Sequence, residues 1–136
     1  MATLTEDMQQ MLKDQLSFLA TADAAGDPQV GPKGTMRVLD AHHLIYNEHT
    51  AKQAWANLQA SHKAAVAVVD HAKFKGYRFE GLAEFHTDDQ IYEDALAYAK
   101  AHQLPPAVAA VVIPVQRIYK LDAGPNAGDL IDGEAI

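Results

Sequence analysis

Five of the eleven basic side chains fall beside glycines or turn residues. Lys33 and Arg37 lie on either side of Gly34, Lys52 stands at a helix start just after Thr50, and Lys75 and Arg78 bracket Gly76. The chain carries eighteen acidic residues and a net charge of −7, and in that setting local basic clusters are what an anionic small ligand requires. Lys33, Thr35 and Arg37 recur at every second position, so an unbroken strand puts them on one face. The helix start after Thr50 adds backbone N–H groups and a positive dipole end, which suits a phosphate. Tyr77 and Phe79 offer aromatic surface for a ring system. The same lysines also read as solvated strand-edge groups that discourage aggregation. Residue types alone leave both readings open.

Other chemistries are excluded more sharply. With no cysteine in 136 residues, disulfides, thiol nucleophiles, iron–sulfur clusters and cysteine-based zinc sites drop out. The only serines, Ser17 and Ser61, sit in no G-x-S-x-G context, which argues against a serine hydrolase. No G-x-G-x-x-G and no G-x-x-x-x-G-K-[ST] occurs, so neither dinucleotide loop nor P-loop is present. The seven histidines are scattered over loops and element ends, and no metal is expected. No acidic pair stands out as a glycosidase-like dyad. An acidic balance disfavours a phosphate-backbone partner, so no nucleic acid is expected. The polar N-terminus does not read as a signal peptide, and the apolar stretch from Ala107 to Val115 is too short to span a bilayer. A soluble, cytoplasmic protein without membrane association is expected.

The elements that must position these residues follow from periodicity and punctuation. Thr5 caps a helix running to about Gln15, with Met8, Met11 and Leu12 on its apolar stripe. Leu16 to Ala22 reads as a buried strand. Asp23 to Asp27 is a turn with Gly26 at positive φ. Pro28 to Leu39 is extended, with Gly31 and Gly34 marking a bulge or a close approach of ligand to backbone. A third strand starts at Leu44-Ile-Tyr46. Thr50 is expected to cap a helix from Ala51 to Ala60 carrying Trp55 and Leu58. Ala64 to Val69 reads as a buried strand, and Tyr77 to His86 as an alternating one. Asp88 or Asp89 opens a helix to about His102, stopped by Leu104-Pro-Pro106. Ala109 to Leu121 is the last strand, with Pro114 at an edge or bulge position. The tail, 122–136, is expected to be irregular. The whole of 1–136 reads as one mainly β (α+β) domain, a six-stranded antiparallel barrel, closed or partly closed, with two or three peripheral helices.

Four blocks of the chain, ATADAAGDPQVGPKGTMRVLD (20–40), LIYNEHTAKQAWANLQASHKAAVAVVD (44–70), FKGYRFEGLAEFHT (74–87) and VVIPVQRIYKLDAGPNAG (111–128), resemble the small FMN-binding split-barrel proteins related to pyridoxamine 5′-phosphate oxidase. The likeness runs from about Leu12 to Gly128. It implies a split barrel that forms a homodimer, with the flavin in a groove where the subunits meet. It implies that Pro32, Lys33, Gly34, Thr35, Met36 and Arg37 supply backbone contacts to the isoalloxazine ring and a basic group toward the phosphate. Asn47, Thr50, Lys52 and Gln53 would cradle the ribityl phosphate, and Lys75, Gly76 and Tyr77 would form a third contact region. Glycines suit the close approach a flat ring needs. Many relatives carry a Lys/Arg-Thr pair at the helix start, where this chain has Gln53-Ala54. Relatives that oxidise vitamin B6 phosphates carry Arg and Trp near the C-terminus. This tail has neither, so that activity is not expected. The resemblance implies an oxidoreductase that uses FMN on a small-molecule substrate, with no side chain assigned as an obligatory acid or base. The alternative is a non-catalytic carrier of flavin, or of a deazaflavin or haem, acting as shuttle, store or sensor. A scaffold that has lost its cofactor is the third reading.

Overall fold

The longest strand, β8 (Ala109–Lys120), joins two sheets in a computed structural model that describes residues 1–134. The elements run α1 (Glu6–Asp14), β1 (Ser17–Ala22), β2 (Pro28–Lys33), β3 (Arg37–Asp40), β4 (His43–Glu48), α2 (Gln53–Ser61), β5 (Lys63–Asp70), β6 (Lys75–Leu82), β7 (Glu84–His86), α3 (Gln90–Ala101), β8 and β9 (Leu130–Gly133). The strand order is β2-β1-β5-β6-β8-β4-β3, all antiparallel, with β7 and β9 also on β8. Residues 109–114 of β8 pair with β4, and residues 115–120 serve β6. Pro114 stands at this handover, where the missing N–H costs the ladder least. The result is the expected antiparallel split barrel with three helices.

The core is the inward row of each strand. Leu19, Leu44, Tyr46, Val66, Val68, Phe79, Val111, Ile113, Val115 and Ile118 are all buried. Helix α1 covers the open side through Met8, Met11 and Leu12, and Thr5 caps it by accepting the Met8 N–H at 3.3 Å, as its sequence predicts. Leu58 of α2 is fully buried, and Trp55 packs edge-on against Phe85 with ring centroids 5.1 Å apart.

Nine strands form among the described residues where the sequence suggests six, for three local reasons. The stretch Pro28–Leu39 is broken by a turn in which Met36 N–H donates to the Lys33 carbonyl at 3.0 Å. Lys33, Thr35 and Arg37 therefore do not share the face of one strand. Tyr77–His86 is interrupted at Ala83, whose N–H leaves the sheet for the His62 carbonyl at 2.6 Å. The tail is not wholly irregular: β9 docks on β8, and Gly133, at φ +88°, sits where a Cβ would lie 2.1 Å from the Gln116 carbonyl oxygen. Ala135 and Ile136 lie outside the described residues. The second helix starts two residues late. Ala51 takes a left-handed φ of 52°, Lys52 is the N-cap with no side-chain cap bond, and Thr50 caps nothing.

Gly81 is the position where β6 passes closest to β8. A Cβ there would stand 2.1 Å from the Pro114 carbonyl oxygen, beside the register shift between Glu80 and Gly81. Gly81→Ala is expected to lower stability by about 3 kcal/mol in urea unfolding, because backbone cannot yield as a side chain can. At the N-terminus of α3, Asp89 accepts from His86 Nδ1 at 2.6 Å and from the Tyr92 N–H at 3.0 Å. These bonds, that from His86 first, hold its pKa below the ordinary carboxylate value. Its stabilisation is then complete above the unfolded pKa and lost as pH falls through the lower folded one. The stability gap between wild type and Asp89→Asn should therefore shrink on acidification toward pH ~3.

Candidate functional site

The turn between β2 and β3 carries the chemistry because β4 and α3 hold it in place. Asn47, near the end of β4, donates its backbone N–H to Thr35 Oγ1 at 3.0 Å. Its side-chain amide donates to the Ala95 carbonyl of α3 at 2.9 Å and accepts from Arg37 Nη2 at 3.2 Å. Arg37 Nη1 donates to the Thr35 carbonyl at 2.8 Å, and the guanidinium lies 3.6 Å from the centre of the Tyr98 ring. Tyr98 in turn stacks on His102 with centroids 4.0 Å apart. Burial pulls the Arg37 pKa down, opposed by the facing Tyr98.

Two cavities meet at Lys33 and Gly34. The larger, about 820 Å³, lies between α1, the turn and α3, with Lys13, Met36, Arg37, Tyr98 and His102 in its wall. The smaller, about 370 Å³, lies between the turn and the end of β4, lined by Pro32, Thr35, Asn47, Glu48, His49 and Thr50. A Cβ on Gly34 would meet nothing within 4 Å, so the peptide there is open to a ligand.

The walls of the smaller cavity hold polar atoms that find no partner among the described residues. Glu48 Oε1 and both ring nitrogens of His49 are buried without a hydrogen bond, as is the hydroxyl of Tyr46, a core residue that lines neither cavity. Glu48 is 1% exposed; its Oε2 accepts the Ala51 N–H at 3.3 Å, and its Oε1 lies 3.9 Å from Lys33 Nζ. That separation is an ion pair but not a hydrogen bond. Lys33 Nζ also stands 5.1 Å from the centre of the Tyr46 ring. Burial first, and the Glu48 charge second, push the Tyr46 phenol above its ordinary pKa, so it stays a neutral donor. Native proteins rarely leave such groups unsatisfied, and clusters of them mark places where a ligand or water completes the bonding.

The structure brings together most of the residues singled out in the sequence. Pro32, Lys33, Gly34, Thr35, Met36, Arg37, Asn47 and Thr50 line one cavity or both. Lys52 is exposed just beyond, and Gln53 donates along its helix to Asn57 Oδ1 at 2.7 Å. Lys75, Gly76 and Tyr77 lie elsewhere in this chain and line neither cavity. The Gly76 N–H donates to Asp122 and the Tyr77 hydroxyl to Asp7 of α1. Burial, with that carboxylate, pushes Tyr77 up to about 12.

Sequence reasoning did not single out Tyr46, Glu48, His49, Tyr98 or His102 as contacts, although the resemblance placed Glu48 and His49 inside the implied phosphate-binding segment 47–53. The missed signal was in β4: Leu44, Tyr46 and Glu48 alternate on one face, so a charged residue was bound to point where a core residue belongs.

Flavin mononucleotide fits these residues unevenly. The open peptide at Gly34 and the two adjoining cavities suit a flat ring, and the unpartnered acceptors and donors suit the hydroxyls of a ribityl chain. The phosphate has only an outer station, at Thr50, Lys52 and the first turn of α2. Inside, Arg37 is committed to the turn, Lys33 is paired, and Glu48 is itself the anion.

A family model described as pyridoxamine 5′-phosphate oxidase matches residues 4–122. An uncharacterized protein of Methanocaldococcus jannaschii is 32% identical over 132 residues, covering 94% of this chain and 87% of that protein. The crystal structure of HupZ from Group A Streptococcus superposes with a TM-score of 0.84 at 40% identity, over 91% of this chain and 98% of that one. A candidate pyridoxamine 5′-phosphate oxidase from Lactobacillus delbrueckii gives 0.78 at 37% identity, over 86% and 93%.

Arg37→Ala is expected to cost about 2 kcal/mol of stability in urea unfolding, since it strips donors from the Thr35 carbonyl and from Asn47. Lys52→Ala, exposed at the mouth, should change stability by less than about 0.5 kcal/mol.

Proposed function

The chain belongs to the pyridoxamine 5′-phosphate oxidase family, and from that premise we propose that it is a flavin-binding oxidoreductase working on a small-molecule substrate. FMN is the form of flavin the resemblance implies. The observation that carries this reading is the meeting of two cavities at the open Gly34 peptide, walled by hydrogen-bonding groups that have no partner among the described residues. A bound flavin would supply the electron-transfer chemistry. Residues 32–35 would hold the ring against the β2–β3 turn. Glu48 and His49 would bond the ligand's polar chain, and Thr50 with Lys52 would face its outer end. Arg37 and Asn47 would act as positioning residues, fixing the turn and not the ligand. The larger cavity, between Lys13, Arg37 and the Tyr98–His102 stack, is the place for a substrate. Its basic and aromatic walls favour an aromatic or anionic one.

A second copy of the chain is part of this proposal. On the outer side of β2, β1 and β5, the registers align Pro32 with Phe18, Val30 with Ala20 and Pro28 with Ala22, and then Phe18 with Ala67 and Ala20 with Ala65. Val30 is 66% exposed, Phe18 42% and Val69 49%. A contiguous apolar face of this kind marks an interaction surface, and it begins beside Lys33. A homodimer built on it supports the expected groove between subunits, and it gives Lys75–Tyr77 a way to reach a partner's site. No helix among the described residues is long and apolar enough to cross a membrane, and a cytoplasmic place completes the reading.

The protein as purified is expected to show flavin-type visible absorption and to release a flavin identifiable by mass spectrometry. Steady-state turnover with a reductant and an acceptor separates an enzyme from a carrier. A colourless protein that takes up neither FMN nor riboflavin would overturn the reading. For the dimer, Val30→Asp is expected to convert a dimeric mass to a monomeric one in light scattering and to weaken flavin binding with it.

A further inference from the structure

We propose that Glu48 is a specificity-determining residue that tunes the smaller cavity to a neutral, hydroxyl-bearing ligand terminus and against a phosphate. The inference rests on the flavin reading for the ring and concerns the other end of the ligand: riboflavin is favoured over FMN.

The charges inside the cavity are few and already matched. Glu48 is buried to 1% exposure, and one carboxylate oxygen has no hydrogen bond. The cation facing it is Lys33, at 3.9 Å. Arg37 points its guanidinium at Thr35, Asn47 and Tyr98. At the helix start, Gln53 is turned to Asn57, and Ala54 has no side-chain donor. Lys52 stands exposed at the mouth. Lys33 and Glu48 thus neutralise each other, and no second lysine or arginine lines this cavity among the described residues.

A phosphate monoester brings roughly two negative charges near neutral pH. To hold it, Lys33 must leave Glu48, and a buried carboxylate that loses its partner is strongly destabilising. A hydroxyl asks for no such exchange. It donates to Glu48 Oε1, leaves the Lys33 pair intact, and can bond His49 as well. Glu48 also uses its second oxygen on the Ala51 N–H, at the turn into α2. The chain's own carboxylate thereby occupies the place near a helix start where an external anion is otherwise welcome.

The test is equilibrium titration of the full chain with FMN and with riboflavin, for wild type, Glu48→Gln and Glu48→Thr. Flavin fluorescence reports binding, and circular dichroism checks folding. The threonine substitution keeps an oxygen for the Ala51 N–H if the glutamine variant does not fold. Wild type is expected to bind riboflavin at least as tightly as FMN. Removing the charge should tighten FMN by about tenfold or more and weaken riboflavin, whose hydroxyl loses its charged acceptor, so that the preference inverts. A wild-type protein that prefers FMN overturns the inference and leaves the flavin reading standing. A riboflavin preference that survives both substitutions also overturns it, because the selectivity then lies elsewhere. If wild type binds neither flavin and a variant gains FMN, Glu48 bars the phosphate but no riboflavin preference exists, so the inference and the flavin reading of the wild-type chain both fall. If no form binds either flavin, both fall.

Discussion

The fold depends on one strand serving two sheets. Residues 109–114 of β8 pair with β4 and residues 115–120 with β6, so a single run of backbone must bend where its partner changes. Pro114 removes an N–H at that point, and Gly81 removes the side chain that would strike the Pro114 carbonyl. Both residues weaken an ordinary strand, and both are required here by the change of partner. The bend sets the angle at which β4 leaves β8, and the end of β4 carries Tyr46, Asn47 and Glu48. The cavity therefore inherits its geometry from a handover of hydrogen bonds in the centre of the barrel.

From the end of β4, a small polar network spreads outward. Asn47 ties the β2–β3 turn to α3 through Thr35, Arg37 and the Ala95 carbonyl. Each group in it is paired, which is the condition under which buried polar networks rigidify rather than destabilise. One residue further, the pairing stops: Glu48 and His49 keep polar atoms with no partner among the described residues. A satisfied network and an unsatisfied one are thus separated by a single peptide, and the proposed binding surface begins where the pairing stops.

Much of this was legible in the sequence. Thr5, Gly26 and the alternating strands behave locally as their residue types dictate. Gly34 and the segment from Asn47 to Thr50 drew notice in the sequence too, and in the structure they line the smaller cavity. What sequence could not show was direction. Arg37 reads as a cation beside a glycine, yet the turn at Gly34–Met36 swings it onto Tyr98, in a distant part of the chain. Thr50 reads as a helix cap, but the left-handed Ala51 ends that relation and Glu48 bonds the turn instead. The stretches Leu16 to Ala22 and Ala64 to Val69 read as buried strands. In a single chain one face of each is exposed. The apolar pattern therefore runs past what the core of one chain buries.

A protein that leaves a carboxylate oxygen unsatisfied in its interior accepts a cost that a leucine would not carry. Glu48 occupies a strand position whose neighbours two and four residues back, Tyr46 and Leu44, are both fully buried. An apolar residue there would extend the core without a break. Local rules broken in this way are expected at functional sites, where something outside the chain restores the balance. The net charge of −7 sharpens the point: a protein evolved to capture a dianion in this cavity gains by removing the one negative charge buried there. Keeping it makes sense when the ligand brings hydrogen-bond donors instead of charge, and Lys33, half-withdrawn at 3.9 Å, is then a counter-ion to the protein's own carboxylate. The selectivity of the site is thus a property of what the cradle already contains, not of what it lacks.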